Sequence, residues 1–568
     1  MKETPRAILL LLGLLTVGAG LSQPALAGVP ASSTAVQGGD ETGVYASFLD
    51  GHFAASQSDP AQAASDWLRA LALDPANVDL EQQTFIQCLL SDRPEAAGLA
   101  NRLPGNVVAQ MLGADQSARN GNWADAEQRF AALAPDGIMT LLRPLLVAWS
   151  QQGAGHTDQA LATLQPLTAN RQLPGLYSLH AALIADLAGR ITAAAAFYEA
   201  ARVGDGTPPL RLAQLIGSFD ARQNHEGAAL QALDAVGDSA PLLRLALPAM
   251  ATHLRTPPVA DPIDGLAEAY VGFAAAVHQD GDDQFAEILL RLALDLRPDF
   301  AAARLLAADV MEAEHNLDGA IHMVNAVPDS DALAPVARVR AAELAARAGQ
   351  PEQALRELNV IARAFPDSPL PDSEIGDVLR QRGDFSGAAQ AYTRAIALTP
   401  TPSATDWPLF YDRAIAYSES GNWPLAQSDF EHALKLQPNQ PLVMNYLGYS
   451  WADRGEHLAE ARTMLETAAH LRPDDGAVID SLGWVEFRQG DTADAVATLE
   501  RAVELDPADA TINGHLGDAY WAVGRKMEAT YQWRRALIFN PAPADAAKLE
   551  AKLHETTAQA TTSAARIP

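Results

Sequence analysis

The chain has 568 residues, of which 48% are hydrophobic and only 6% aromatic, enough apolar material for more than one core. Its 70 acidic and 40 basic residues leave a formal charge of −30, which excludes a surface that binds nucleic acid by neutralising phosphates. The lone cysteine, Cys88 in the apolar run FIQCLL, excludes an intramolecular disulfide and reads as a small buried hydrophobe without redox function.

The N-terminal stretch MKETPRAILLLLGLLTVGAGLSQPALA places Lys2 and Arg6 before an apolar run from Ala7 to Leu15 and ends on the small-x-small tripeptide Ala25-Leu26-Ala27. It reads as a secretory signal cleaved after Ala27, because the strongly apolar core is short of the roughly 20 residues that span a bilayer. No cysteine follows the cleavage point, so no lipid anchor is expected there. An exported chain without cysteine pairing fits a bacterial periplasm. Residues 28–40, GVPASSTAVQGGD, are small and polar and read as a disordered leader.

Beyond residue 40, alanine and leucine dominate and alternating β-branched runs bounded by hairpin turns are missing, so the class is all-α. Residues 41–255 carry weak echoes of one pattern: DPAQAASDWLRALALDP up to Pro75, NGNWADAEQRFAALAP up to Pro135, and AGRITAAAAFYEAARVG around Tyr198. These read as degenerate helical repeats. TPPVADPID, residues 256–264, is rich in proline and is expected to be a linker. The pattern strengthens over 265–541 and is most regular from residue 367. Segments ending alike close at Pro298, Pro366, Pro400, Pro438, Pro473, Pro507 and Pro541, with spacings of 34 residues or a few more, or twice 34 between the first two.

Within each regular unit the same marks recur for packing reasons. The pairs Leu447-Gly448, Leu482-Gly483 and Leu516-Gly517 let a neighbouring helix approach where a side chain is missing. A second glycine, at Gly383, Gly421, Gly455, Gly490 and Gly524, ends the first helix. A small residue then precedes a large one by four and another alanine by seven, as in Ala426, Phe430 and Ala433, which makes one stripe of a second helix. The proline closes the unit. Residues 542–568 contain ADAAKLEAKLHE, a polar capping helix, and continue as TTAQATTSAARIP, expected to be a disordered tail.

Helix, turn and helix in 34 residues, with LG, G, A, a large residue, A and P at these places, resembles the tetratricopeptide repeat, which implies a right-handed superhelical solenoid. The run from Asn445 to Leu537, with NYLGY, the elongated turn DRGEHLAEA, LRPDDG, DSLGWV, HLGDAYWAVGR and WRRAL, resembles the C-terminal repeats of exported Gram-negative tetratricopeptide proteins. That group includes lipoproteins that act as adaptors for C-terminal processing proteases. This chain departs from them in having no lipid-bearing cysteine and no motif match over its first 255 residues.

NYLGYSWADRGEH looks like a catalytic cluster until it is set beside DSLGWVEFRQGD and GHLGDAYWAVGR, one and two periods later, where its polar residues do not persist. Trp451 falls at the core position that Tyr520 occupies, and His457 falls in a turn longer by one residue. H-E-x-x-H, G-x-S-x-G, P-loop, C-x-x-C and dinucleotide-binding motifs are all missing, so no cofactor, metal or enzymatic activity is expected. In tetratricopeptide arrays the first helices line a concave groove, and here that face comprises Tyr411, Asn445, Tyr449, Asp480, Trp484, Phe487, Arg488, Asp518 and Trp521. Aromatic residues with polar neighbours suit a peptide or protein surface. Burial of Trp484 and Phe487 in the core is the competing expectation for those two. The function expected from the resemblance is a periplasmic protein-binding scaffold acting as a protease adaptor; the alternatives are a scaffold for secretion or exopolysaccharide assembly and, third, an enzyme. Partners are other proteins, and homo-oligomerisation is left open.

Overall fold

The computed structural model describes residues 41–169, 173, 175–202 and 208–564. The expected signal, residues 1–27, and leader, residues 28–40, lie outside the described residues. Among the described residues there are α-helices and short 3-10 turns and no strand, so the all-α reading holds. The helices pair as antiparallel neighbours through short turns. The residue that closes most of these turns is left-handed, at Gly121, Gly155, Gly189, Gly281, Gly349, Gly383, Gly421, Gly455, Gly490 and Gly524. Asn224 and His315 take the same conformation, with φ of 65° and 64°. The turns at Gly281, His315, Gly349 and Gly383 follow one another at 34-residue steps.

Contacts divide the chain into two compact units, Met1–Pro366 and Asp367–Pro568. In the first, helix pairs such as Val107–Arg119 with Trp123–Ala132 and Met139–Gly153 with Thr157–Leu164 stack in order. The helices Pro262–Gln279 and Asp283–Leu296 then pack back onto those early pairs. Tyr270 donates to both carboxylate oxygens of Asp115 at 3.0 Å, and the Arg291 guanidinium donates to the Leu89 carbonyl at 3.1 Å. Gly265 lies so close to Trp149 that a Cβ there would come within 2.2 Å of the indole. Residues 41–255 therefore share one core with the repeats that follow them. Cys88 is sealed in that core, where burial raises its thiol to about 11, as a small hydrophobe rather than a reactive group requires.

The stretch 256–264 is not a linker in this fold. Val259 within it is buried, as is Leu254 just before it. Ser218 donates its hydroxyl to the Thr256 carbonyl at 3.0 Å, and Arg297 donates to the Pro258 carbonyl at 3.0 Å. The boundary between compact units falls instead between Pro366 and Asp367.

In the second unit the expected stripe is the core. Ala388, Tyr392 and Ala395 are buried, as are Ala426, Phe430 and Ala433, Ala461, Leu465 and Ala468, Ala495, Leu499 and Ala502, and Ala529, Trp533 and Ala536. Burying a side chain such as Phe430 contributes about 1.5–3 kcal/mol, and the same contact recurs in every unit. Gly448, Gly483 and Gly517 face Leu465, Leu499 and Trp533, and a Cβ at these glycines would stand 2.8, 2.7 and 2.4 Å from them. Trp451 and Tyr520 are buried, and Glu486 takes the same place in the unit between them. His457 is exposed in the longer turn, its ring 4.9 Å from that of Trp451. The capping helix runs Pro543–Ala564, so the segment expected to be a disordered tail is helical as far as residue 564.

Candidate partner-binding face

The first helices of the second unit include Trp407–Glu419, Pro441–Arg454, Gly476–Gln489 and Ala510–Ala522. Their starts are fixed locally: Gln440 caps the second with Pro441 following, the Asp475 carboxylate accepts from the Ala477 and Val478 amides, and Asp509 accepts from the Ile512 amide. With the starts fixed, equivalent positions fall in register. The fifth residues are Tyr411, Asn445 and Asp480; the ninth include Tyr449, Trp484 and Asp518; the twelfth include Phe487 and Trp521. The Pro441 helix packs on the Gly476 helix, and that on the Ala510 helix, so these positions share one face.

Trp484 is the centre of that face. Its ring stacks on Phe487 at 5.2 Å and 17°, and on His515 at 4.0 Å and 15°. The Tyr449 ring lies 6.0 Å from His515, and the Arg488 guanidinium 5.8 Å from Trp484. His515 Nδ1 meets both oxygens of Asp480, at 3.0 and 2.9 Å. Burial works against protonating His515, but the carboxylates of Asp480, then Asp518 and Asp453, outweigh it and raise the imidazole above its ordinary value. His515 was absent from the residues picked out by sequence. The available signal was an imidazole in the first helix that follows Asp480 by one period.

This packing corrects two of the expected surface residues. Trp484 is 8% exposed and Asp480 4%, because His515 covers the first and pairs with the second. Both hold adjacent repeats together. Tyr449, Phe487 and Trp521 are half-buried and remain accessible, as does Tyr411, whose ring lies 5.7 Å from Trp407 and 6.3 Å from Tyr446. Arg488 donates to the Asp453 carbonyl at 2.6 Å and so spans two repeats. Asp518 accepts from the Trp533 indole at 2.9 Å and from Lys552 at 2.6 and 2.7 Å. Trp521 packs 5.5 Å from Trp533 and carries the Lys526 ammonium at 4.9 Å.

Asn445 is half-buried, and its Oδ1 has no hydrogen-bond partner. That oxygen is itself sealed from solvent, so it is a buried polar atom beneath the face and not an acceptor open to a partner. The face is also acidic. Burial first, and then the carboxylates of Asp453, Asp480 and Asp545, push the Tyr449 phenol well above its ordinary value. Asp545 and Lys552 belong to the capping helix, whose Leu549 is buried against the last repeat, so that helix closes one end of the row. Among the described residues no hydroxyl or thiol is hydrogen-bonded to His515, no cluster of metal-ligating side chains occurs, and no helix is long and apolar enough to cross a membrane.

Family models place this geometry in a known class. A tetratricopeptide repeat-like domain matches residues 267–405, a tetratricopeptide repeat matches 145–208 and 411–477, and a TPR repeat matches 483–524. A TPR repeat-containing protein of Pseudomonas aeruginosa is 29% identical over 160 residues, 28% of this chain and 26% of that protein. Bacteriophage adsorption protein A of Escherichia coli is 38% identical over 99 residues, 17% of this chain and 9% of that protein. The matches thus span about a quarter or less of these relatives' own length. Among solved structures, a tetratricopeptide repeat protein from Parabacteroides merdae is 16% identical, covering 45% of this chain and 97% of that one with a TM-score of 0.36. The APC/C hetero-tetramer Cut9-Hcn1 is 15% identical, covering 90% and 96% with a TM-score of 0.38. The chain is a tetratricopeptide repeat protein, and the class supports a protein–protein interaction scaffold.

Proposed function

We propose that the protein is an exported, periplasmic scaffold whose second unit binds a segment of another protein along the face formed by Tyr411, Asn445, Tyr449, Phe487, Arg488 and Trp521. The observation that carries this reading is the row of half-exposed aromatic side chains, Tyr411, Tyr449, Phe487 and Trp521, set on one side of consecutive first helices. Half-exposed aromatics already held by packing lose little side-chain entropy when a partner covers them, which is why such residues dominate binding energy. Asp453 and Asp545 make the face favourable for a segment carrying lysine or arginine. Presentation of that partner to a C-terminal processing protease is the finer form of the proposal.

The test is in-cell crosslinking from a photoreactive residue at position 453, exposed one turn beyond Tyr449 on the same helix, with captured proteins identified by mass spectrometry. A processing protease or its substrates among them supports the adaptor role, whereas secretion or polysaccharide-export components replace it with an assembly role. The triple variant Tyr449→Ala, Phe487→Ala, Trp521→Ala should lose capture by tenfold or more while the fold persists. Undiminished capture by a normally folded triple variant removes this face from the proposal.

A further inference from the structure

Two exposed apolar stripes are built from residues outside that face. On the second helix of the last repeat, Lys526–Ile538, the side chains of Met527, Tyr531 and Ile538 are 76%, 69% and 73% exposed. Their spacing puts them on one side of the helix. These places stand two residues before, and two and nine residues after, the buried Ala529. Around Ala388, Ala426, Ala461 and Ala495, the corresponding places in the four preceding repeats hold serine, glutamine, alanine, proline, lysine, threonine, histidine or glutamate. A repeat framework that keeps this side small or polar four times and makes it large and apolar once marks a surface selected for contact rather than for solvation.

The surroundings are also unusual for a chain of charge −30. The cap residue Arg525 is paired with Glu500 and Glu528, which leaves Lys526, Arg534 and Arg535 without an ion pair on the most positive helix of the second unit. Arg534 is exposed and has no hydrogen-bond or ion-pair partner.

The complementary surface is on the first described helix, Glu41–Ser56, where Tyr45, Leu49 and Phe53 are 67%, 64% and 69% exposed at successive turns. That helix carries Asp50, and the helix after it is capped by Asp59 and Asp74, while Arg69 is taken up by the buried Asp66. One stripe is apolar in a basic setting and the other apolar in an acidic setting. We propose that the Lys526–Ile538 helix of one copy packs on the Glu41–Ser56 helix of a second copy, joining copies head to tail. Because the two patches differ, the contact is heterologous and leaves a free patch at each end for further addition. Two single helix faces bury less than the roughly 1,200 Å² of a standard interface, so the association is weak and reversible, and its charged setting makes it salt-sensitive. None of these residues belongs to the partner-binding face, so this inference does not depend on that reading.

Sedimentation velocity on the purified chain, from low micromolar to several hundred micromolar, tests the proposal. The average mass should rise with concentration and fall back at high salt. Tyr531→Asp and Leu49→Asp should each be monomeric alone, while their equimolar mixture forms a dimer and nothing larger, since each supplies the patch the other lacks. Both sites are exposed, so circular dichroism melts should be unchanged; Arg534→Glu, which keeps the apolar stripe, should weaken association severalfold. A wild-type chain monomeric throughout, a Tyr531→Asp variant that still dimerises, or a mixture that fails to pair overturns head-to-tail joining.

Discussion

Trp484→Ala separates a packing role from a surface role at the centre of the partner-binding face. The indole is 8% exposed, stacked at 4.0 Å on His515 and at 5.2 Å on Phe487. Truncation of a buried tryptophan costs about 3–5 kcal/mol through lost transfer energy and the cavity left behind. Two features move the expectation toward the lower end: the ring keeps a solvent edge, and its indole nitrogen is buried without a partner, so its removal recovers part of that cost. About 3 kcal/mol is therefore expected, and it should be local, because each repeat contacts only its neighbours. Hydrogen exchange followed by mass spectrometry on the full chain reads this directly. Amides of the Gly476–Gln489 and Ala510–Ala522 helices should exchange about a hundredfold faster, while those of Phe385–Ala397 are unchanged. A loss under about 1 kcal/mol with unaltered exchange in both helices would show that Trp484 is surface after all.

Two glycines on one helix should respond with opposite signs. Gly517→Ala places a Cβ 2.4 Å from Trp533 and should destabilise by about 1–3 kcal/mol through overpacking, whereas Gly514→Ala meets only Leu549 at 3.7 Å and should stabilise by up to about 1 kcal/mol; urea midpoints of the two variants check this. His515 has its folded value raised above the ordinary 6.5, so its ion pair with Asp480 contributes fully below that pH and is lost as pH rises through the raised value. Urea midpoints should therefore fall over that interval in the wild type and change less in Asp480→Asn; identical slopes would remove the linkage. If residues 1–27 are a cleaved signal, intact-mass measurement on protein from the native envelope should find Gly28 at the N-terminus, and a retained Met1 would sink the periplasmic proposal.

The repeat was legible in sequence wherever each unit kept its full set of marks, because glycine at the left-handed turn, alanine at the helix crossing and a large residue one turn on each answer a separate steric demand. Gly383 through Gly524 adopt the left-handed turn that their recurrence implied. In residues 41–255 the same turns exist at Gly121, Gly155 and Gly189, at 34-residue steps, but the leucine-glycine pair and the closing proline do not recur with each of them, so the period was faint. At Asn224 and His315 the glycine itself is replaced. The proline-rich stretch 256–264 was misread because proline stiffens packed and exposed chain alike. What holds it is Ser218 on one side and Arg297 on the other, and no local pattern shows either. Burial of Trp484 depended likewise on His515, which belongs to the next repeat.

The two units use the same repeat to different ends, and packing explains why the partner-binding face falls in the second. In the first unit Leu266, Tyr270 and Phe273 of the Pro262–Gln279 helix are sealed against earlier repeats. Two polar pairs are closed inside it: Trp149 donates its indole N–H to His180 at 2.9 Å, with burial lowering that imidazole to about 3, and Tyr270 donates to Asp115, whose carboxyl burial pushes far up. Opening such a surface to a partner would expose a sealed core and break paired buried groups, a loss far larger than a transient contact returns. In the second unit the corresponding first helices keep Tyr411, Tyr449, Phe487 and Trp521 half-exposed. Covering these residues adds contact without dismantling any, so binding there need not compete with folding.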